Sequence, residues 1–354
     1  AGLDVSFYDS KWNLTIDSYH KLTKDLLQNV NLPVSNGYTT RVDNFGEVEN
    51  KGIEFSLAGT IIGNDAFNWD VRANLGFNRN KLMALNSNLD FQLGPEVGFS
   101  GANPILFKVG QPLGIFYGAQ TNGVYRDWEE AIASGIEGAA PGEIKYINNH
   151  IDLDESGQPL AIQQINFQDY VKIGDPNPDY TFAITNNFSY KNWDLSVLFT
   201  GQKGGDLFWV DSFQLSGLQK ETNVLSSSYN DSWRAPLSVV NGVVVYDPSI
   251  GNIDNVSNPG AMIDIGPRAL VSDRQIFDGS FFRLKNINLG YTINVAKNRS
   301  FRVFATGQNI LTWTQYPGYD PEVQTYNRSS QKRGVDFGTY PGTKTYSLGL
   351  KFKY

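Results

Sequence analysis

The sequence has no cysteine and only two histidines, His20 and His150, which lie far apart in the chain. The absence of cysteine excludes disulfides, zinc sites built on cysteine and thiol nucleophiles. Two distant histidines leave little material for a histidine-based triad or a multi-histidine metal site. The net charge of −7 and the pI near 5.0 argue against nucleic-acid binding, because a protein that neutralises phosphates carries a basic face.

Long hydrophobic runs are also missing. No apolar run approaches the roughly 20 residues that a membrane-spanning helix needs, and the mean hydropathy is −0.33. A spanning strand needs only about 9–11 residues and alternates lipid-facing with lumen-facing side chains, so its average hydropathy is near neutral. The hydropathy therefore excludes a helical membrane protein and leaves a membrane protein built from strands open.

The sequence is rich in aromatic residues and glycine. Its 354 residues include 22 Phe, 18 Tyr, 7 Trp and 35 Gly, which is the mixture expected of many strands joined by glycine-bearing turns. The composition predicts an all-β protein with few helices.

The last nine residues alternate strictly between apolar and polar side chains. One face carries Tyr346, Leu348, Leu350, Phe352 and Tyr354. An amphipathic strand of a soluble sandwich gives the same period of two. A final aromatic residue, however, is the usual C-terminal signal of strands recognised by the outer-membrane barrel assembly machinery. We therefore interpret these five residues as an insertion signal on a lipid-facing strand.

Residues 67–78 alternate without error over twelve positions, whereas a soluble strand averages about 5–6 residues. Similar patterns predict further spanning strands, which gives nine with the two just described, and a β-bulge near Lys285 or Asn286 keeps one of them in register. The additional strands lie near residues 2–9, 12–24, 52–62, 182–190, 193–200, 281–293 and 301–311.

Short and long connections alternate between these strands, with long ones at 25–51, 79–179, 204–280 and 312–343. Outer-membrane barrels have this asymmetry, with short periplasmic turns and long extracellular loops. It places the C-terminus at the periplasmic rim and keeps the extended stretch 113–125 outside the wall. Nine strands cannot close a barrel with an even strand number, so we expect the remaining strands to come from residues outside this sequence.

Several strings of residues are informative about family. They are FGEVENKGIEF (45–55), GQPLGIFYGAQTNGVY (110–125), IGDPNPDYTFAITNNFSYKNWDLSVLFTGQKGGDLF (173–208), DGSFFRLKNINLGYTI (278–293) and GQNILTWTQYPGYDPEV (307–323). Together they resemble the C-terminal half of SusC/RagA-type TonB-dependent transporters of Bacteroidetes, in the same order and over nearly the whole chain.

The resemblance implies that residues 1–354 form the C-terminal portion of a 22-stranded transmembrane antiparallel β-barrel. It implies an N-terminal plug domain and first barrel strands that lie outside this chain. It also implies a SusD-like surface lipoprotein that covers the extracellular loops, energy supplied by the TonB complex, and import of a glycan or oligopeptide nutrient.

The sequence contains no evident catalytic or metal site. Asp152, Asp154, Ser156 and Gly157 occupy four positions of a calcium loop, but position twelve is Gln163, which cannot supply the bidentate carboxylate. Family members often carry a calcium-like loop here. We predict no metal, no cofactor and no enzymatic activity, and we leave an acidic surface turn and a weak calcium site as alternatives for Asp152 and Asp154.

The aromatic residues outside the alternating spans have three competing explanations: an interface girdle, packing against the lid protein, and stacking on substrate. Trp313 and Tyr316 lie just past a strand end and are predicted to be membrane-interface aromatics. Trp128, Trp209 and Trp233 lie deeper in loops and are predicted to contact substrate or lid.

Three functions are compatible with the sequence: nutrient import with a SusD-like lid, another task of a large barrel such as protein secretion or a passive pore, and glycan binding by a soluble multi-strand protein. Strand length and the terminal aromatic argue against the third function, and the family strings argue against the second. The upstream sequence would discriminate among them, because a plug domain and a TonB box would establish import.

Overall fold

The structure of the chain is a computed structural model. The structure describes residues 1–31, 37, 40–44, 46–85, 89–98, 102–216, 223–230, 232–233, 237–240, 243–246, 270–296, 299–323, 325–326 and 329–354.

Nine long strands form one antiparallel sheet in which each strand pairs with its neighbours in the chain order, and the first and last strands form its two edges. We call this sheet the wall. Its strands are β1 (Gly2–Phe7), β2 (Trp12–Thr23), β3 (Gly46–Gly63), β4 (Phe67–Leu85), β5 (Pro178–Tyr190), β6 (Trp193–Gly204), β7 (Phe281–Ala296), β8 (Arg299–Thr314) and β9 (Thr345–Lys353). The predicted number of spanning strands is confirmed.

The wall has one apolar face and one polar face because side chains alternate along every strand. On β4, Phe67, Trp69, Val71, Ala73, Leu75 and Phe77 share the apolar face. Neighbouring strands keep this register: Phe55 and Phe182 both lie opposite Leu75, and Leu57 and Ile184 both lie opposite Ala73. The apolar surface is therefore continuous across the sheet.

The predicted bulge is confirmed at Lys285. The pairing of β6 with β7 passes from Leu198 and Asn286 directly to Phe199 and Leu284, so Lys285 has no partner in the ladder. The extra residue puts Phe282 and Leu284 on the same face as Ile287 and Leu289, although they have the opposite parity. Without the bulge, half of this strand would present its apolar side chains to the polar face.

The two ends of the wall differ in their connections. At one end, which we call the turn end, strands are joined by short turns such as Lys191–Asn192, where Lys191 has φ of 51°. Such left-handed conformations are typical of tight hairpin turns. At the opposite, loop end, the connections 86–177, 205–280 and 315–344 are long. β3 and β4 extend several residues further toward the loop end than the alternating pattern predicts.

The loops fold into small sheets and short helices of their own. The strands are Leu27–Asn31, Thr40–Asn44, Phe91–Leu93, Ile105–Lys108, Ile115–Gly118, Thr121–Val124, Ile144–Tyr146, Val171–Gly174, Asp206–Trp209, Leu237–Val240, Val243–Tyr246, Ile276–Asp278 and Val335–Asp336. The helical segments are Trp128–Ala133, Phe167–Asp169, Ser212–Leu215, Ser226–Asn230, Asp273–Gln275 and Ser330–Lys332. The stretch 113–125 contributes two of these loop strands and none of the wall, as predicted.

The largest hydrophobic core lies in the loops and not in the wall. It includes Phe107, Phe116, Phe208 and Val335, each at most 1% exposed, and reaches Leu82 at the loop end of β4. Among the described residues, no helix is long and apolar enough to cross a membrane.

Candidate functional site

A polar cavity of about 510 Å³ lies at the loop end of the wall's polar face. Asn50, Asn78, Asn80 and Gln202 line it from the wall. The residues that line it from the 315–344 loop include Pro321, Glu322, Thr325, Tyr326, Lys332 and Arg333. A second cavity of about 190 Å³ lies beside it and is bordered by Tyr19, Glu54 and Thr181. Asn78, Asn177, Pro178 and Arg333 border both cavities, so the two form one polar surface.

The wall side of the cavity is held by a network of amides. Asn78 accepts a hydrogen bond from the Tyr19 hydroxyl at 3.1 Å and donates one to Asn50 at 3.4 Å. Asn80 donates to the Oδ1 atom of Asn177 at 2.7 Å and accepts from the Leu113 backbone N–H at 2.6 Å. The amides thus fasten the 86–177 loop to the wall and leave an uncharged polar lining.

The loop side of the cavity is anchored by a buried ionic cluster. The Arg283 side chain on β7 is 3% exposed, and its guanidinium donates to Asp320 and to Glu322, at 2.5 Å in each case. Lys285 also donates to Glu322, at 2.9 Å, and the Gly342 N–H donates to Asp320 at 3.2 Å. Both arms of the 315–344 loop are therefore attached to the wall at one point.

This cluster was not predicted from the sequence. Asp320 and Glu322 lie 37 and 39 residues after Arg283 in the chain, so no local spacing links the three residues. The available signal was the arginine within the aromatic-rich string SFFRLKN, combined with two carboxylates in YDPEV. A charge in an otherwise apolar strand end predicts a partner from elsewhere.

Tyr316 is 5% exposed and does not lie on the apolar face. Its ring packs edge-on against Trp209 and Phe277 at centroid distances of 6.1 and 6.2 Å, and its hydroxyl donates to Asp336 at 2.5 Å. Burial and this hydrogen bond raise the pKa of Tyr316 well above its ordinary value. The prediction of a membrane-interface role for Tyr316 is wrong, because the chain turns inward after Thr314 and carries the ring into the loop core.

Trp209 and Trp233 are also packed inside the loops. Trp209 is 6% exposed, and Trp233 is 2% exposed with its indole N–H donating to the Arg126 carbonyl at 3.2 Å. Side chains without a free face cannot stack on a substrate or a lid, so the structure contradicts that role for both. Trp128 differs: it begins the short helix Trp128–Ala133 and is 45% exposed.

Trp313 lies on the apolar face at the loop end of β8, is 50% exposed and packs against Phe282 at 5.3 Å. It belongs to a row of aromatic contacts near the loop end, which runs through Phe55, Phe77, Tyr180, Phe182, Phe282 and Trp313. A second row near the turn end consists of Phe7 with Trp12, Phe67 and Trp69 with Phe188, Trp193 with Tyr291, and Phe301 with Phe352. Two aromatic rows on either side of an apolar band are typical of membrane barrels.

The C-terminal strand presents its predicted side chains on the apolar face. Tyr346, Leu348, Leu350 and Phe352 lie opposite Gly307, Ala305, Val303 and Phe301 of β8. They are 58% to 77% exposed, and Tyr354 beyond the strand is fully exposed. Their arrangement suits contact with lipid, whereas the role of these residues as an insertion signal stays a prediction.

The acidic turn uses its carboxylates to hold its own backbone. Asp154 accepts hydrogen bonds from Ser156 and from the Gln158 N–H, which lower its pKa. Asp152 accepts from the Gln164 N–H at 2.9 Å, and Gln163 pairs with the Asp152 backbone. Within the described part of the chain no group of three or more His, Cys, Asp or Glu side chains could hold a metal ion. These contacts favour the acidic surface turn over the calcium site.

Known proteins with similar sequences are TonB-dependent receptors. TonB-dependent receptor P3 of Formosa agariphila is 32% identical over 365 residues, which cover 100% of this chain and 33% of the relative. The TonB-dependent receptor SusC of Bacteroides thetaiotaomicron is 27% identical, with 100% of this chain and 31% of the relative covered. No family model matches the sequence. The chain spans about a third of the length of these relatives.

The fold matches solved structures of the same kind. The RagAB peptide transporter superposes on 100% of this chain with a TM-score of 0.75 at 20% identity, over 34% of the solved chain. The 'closed-closed' state of the RagAB peptide importer gives a TM-score of 0.72 at 19% identity. The wall is therefore part of an outer-membrane β-barrel, with its apolar face toward lipid and its polar face toward the lumen. In sequence the chain is similar to TonB-dependent receptors, SusC among them, and in fold it is similar to the RagAB transporter.

Proposed function

We propose that this chain forms the C-terminal part of the barrel of a TonB-dependent importer, which carries a glycan or oligopeptide nutrient across the bacterial outer membrane. The relatives that cover the whole chain are TonB-dependent receptors, which supports import over secretion or passive diffusion. They are receptors and transporters, which supports a role without enzymatic activity. The TonB complex acts through a region outside this chain.

The observation that carries the proposal is the polar cavity in the lumen, which is lined jointly by the wall and by loops. A substrate that enters from the loop end meets amide groups able both to donate and to accept hydrogen bonds. Such a lining suits ligands that are rich in hydroxyl or peptide groups. RagAB is a peptide transporter, which keeps oligopeptides beside glycans as substrate classes.

A SusD-like lipoprotein is the proposed lid on the loop end. Trp128, Ile132, Ile151 and Leu153 of the 86–177 loop are 45% to 75% exposed, although this loop lies outside the apolar band of the wall. Exposed apolar side chains beyond the membrane are typical of protein contacts. In this arrangement the turn end and the C-terminus lie at the periplasmic rim, and the barrel assembly machinery inserts the protein through its last strand.

The test is uptake by whole cells of the source bacterium. A panel of labelled oligosaccharides and oligopeptides is supplied to the parent strain, to a strain lacking the full-length transporter and to a strain lacking TonB. We expect at least one panel member to enter the parent strain and to be excluded from both deletion strains. Uptake that needs the transporter and persists without TonB would contradict active import and would indicate a passive pore.

A further inference from the structure

Arg333 stands out among the charged side chains that line the larger cavity, which are Glu322, Lys332 and Arg333. Glu322 is bonded to both Arg283 and Lys285. Lys332 donates to the Glu96 carbonyl at 2.7 Å and lies over the Tyr326 ring at 4.2 Å. These two residues are therefore committed to contacts that hold the loop.

The Arg333 guanidinium is not committed in this way. The residue is exposed. In the part of the chain that the structure describes, its guanidinium makes one hydrogen bond, a long contact of 3.4 Å from Nη1 to the Oδ1 atom of Asn177. Within the described residues it forms no ion pair. Burial against the surrounding protein lowers the pKa of Arg333, and the charge of Asp175 opposes this shift. Asp175 is already bonded to Lys172 and Asn177. Arg333 therefore retains most of its five N–H donors.

The position of Arg333 makes these donors available to a ligand. Arg333 borders both lumen cavities, together with Asn78 and Asn177. A guanidinium presents a planar fork that matches a carboxylate in a bidentate geometry. The neighbouring amides add uncharged donors on the same surface. Glu54 lines the smaller cavity and repels anions, whereas Glu322 of the larger cavity is paired with Arg283 and Lys285. An anionic group would therefore occupy the larger cavity.

We propose that Arg333 is a specificity residue that binds a carboxylate of the transported nutrient, so that the substrate class is carboxylate-bearing oligomers. This inference rests on the proposed import function and deepens it. The carboxylate could belong to the C-terminus or acidic side chain of an oligopeptide, or to a uronate unit of an oligosaccharide. The shared chemistry is a planar oxyanion held by a guanidinium beside amides.

The test compares paired probes on the full-length transporter purified with its lid protein. One pair is a set of oligopeptides without acidic side chains, with free and with amidated C-termini. The other pair is a set of oligogalacturonates and their methyl esters. Calorimetry gives the affinity for each probe, and we expect the wild type to prefer the acid form in one pair, which identifies the source of the carboxylate.

Three variants locate this preference. Arg333→Gln should lower the affinity for the preferred acid probe by about tenfold or more and leave its neutral partner nearly unchanged, because a hydrogen bond to a charged group is lost. Arg333→Lys keeps the charge without the fork and should fall between wild type and Arg333→Gln. Arg126→Gln, an exposed arginine of the 86–177 loop that does not line either cavity, should match wild type.

The inference is overturned if wild type has no preference for the acid member of either pair, including no measurable binding of any probe. It is also overturned if Arg333→Gln keeps the preference or loses affinity equally for acid and neutral probes. Failure of the proposed import function is a separate result, because it is read from the dependence of whole-cell uptake on TonB. A transporter that imports neutral nutrients with TonB would retain the proposed function and refute the role of Arg333.

Discussion

The wall and the loops of this protein place their apolar side chains in opposite ways. On β9, Leu348 and Leu350 are 77% and 58% exposed, whereas Phe208 and Trp233 in the loops are 0% and 2% exposed. The loops fold as a soluble domain does, around a core that excludes water. The wall instead leaves its apolar face for lipid. One chain is thus organised for two solvents, and the boundary lies where β3 and β4 enter the loop core.

The largest effect is expected where the two regions meet, at Arg283. Replacement by Met removes the guanidinium that pairs with Asp320 and Glu322. Removing one member of a buried ion pair lowers the free energy of unfolding by about 3–5 kcal/mol. We expect Arg283→Met to lower the unfolding temperature of the full-length protein in detergent and to speed tryptic cleavage after Lys332.

Arg79→Met is the matched control, because the ion pair of Arg79 with Asp179 is exposed and should contribute less than about 1 kcal/mol. If the two variants have equal unfolding temperatures and equal cleavage rates, the ionic cluster does not anchor the loop.

A charge on the lipid side of the wall is expected to have the next largest effect. Leu350→Arg near the middle of β9 should destabilise the inserted barrel by about 2–4 kcal/mol, whereas Ser347→Arg on the polar face should cost much less. The free energy of unfolding of each variant is measured by denaturant titration of the protein in lipid vesicles. A larger loss for Ser347→Arg would mean that the two faces of the wall are reversed.

Gly349 is a poor control for this experiment, although it also belongs to the polar face. A Cβ atom at Gly349 would lie 2.3 Å from the Phe304 ring, which covers the glycine from the neighbouring strand. An arginine there would combine a steric clash with the change of charge.

Deletion of Tyr354 should have a smaller effect on stability than on assembly. The residue follows the end of β9, has no partner in the ladder and is fully exposed, so its loss removes little packing. We expect reduced levels in the outer membrane, measured by quantitative blotting, with an unchanged unfolding temperature of the inserted fraction. Normal levels would contradict the role of the C-terminal aromatic as an insertion signal.

The smallest effect is expected in the loops alone, at Glu130. Burial opposes its ionisation, but hydrogen bonds from Lys145 and Arg126 outweigh burial and lower its pKa to about 2. The stabilisation is therefore complete above the ordinary pKa of 4.5 and disappears as the pH falls through about 2.

Glu130→Gln should speed hydrogen exchange in helix Trp128–Ala133 at pH 7, because it lowers the free energy of opening the helix by less than about 1 kcal/mol. The difference between variant and wild type should shrink at pH 3. A difference that is the same at both pH values would exclude the ion pairs as its cause.

The wall was predictable from sequence because its signal is local. A strict period of two over twelve residues at 67–78 and the parity change at Lys285 determine which side chains share a face, and the structure has both features. The loop-end extensions of β3 and β4 were missed because polar and apolar side chains no longer alternate there.

The site was less predictable because its contacts are not local. A tryptophan outside a spanning segment can equally be exposed, as Trp128 is, or packed inside, as Trp209 and Trp233 are. The choice depends on how separate loops fold against one another. Arg283 and Arg333 contact residues that are distant in the chain, so no pattern of spacing identifies either arginine.

The bulge at Lys285 has a consequence for how this chain tolerates insertions and deletions during evolution. In a regular strand, removing one residue turns every following side chain to the opposite face of the sheet. At Lys285 the surplus residue has no ladder partner, and its ammonium group reaches Glu322. Deletion of Lys285 would let Leu284 follow Asn286 directly in the ladder, so Phe282 and Leu284 would stay on the apolar face and the loss would be the contact with Glu322. After a one-residue deletion elsewhere in the Phe281–Ala296 strand, the residues beyond it would keep their present faces only if Lys285 took the place of the missing residue in the ladder. The 315–344 loop would then have a weaker anchor.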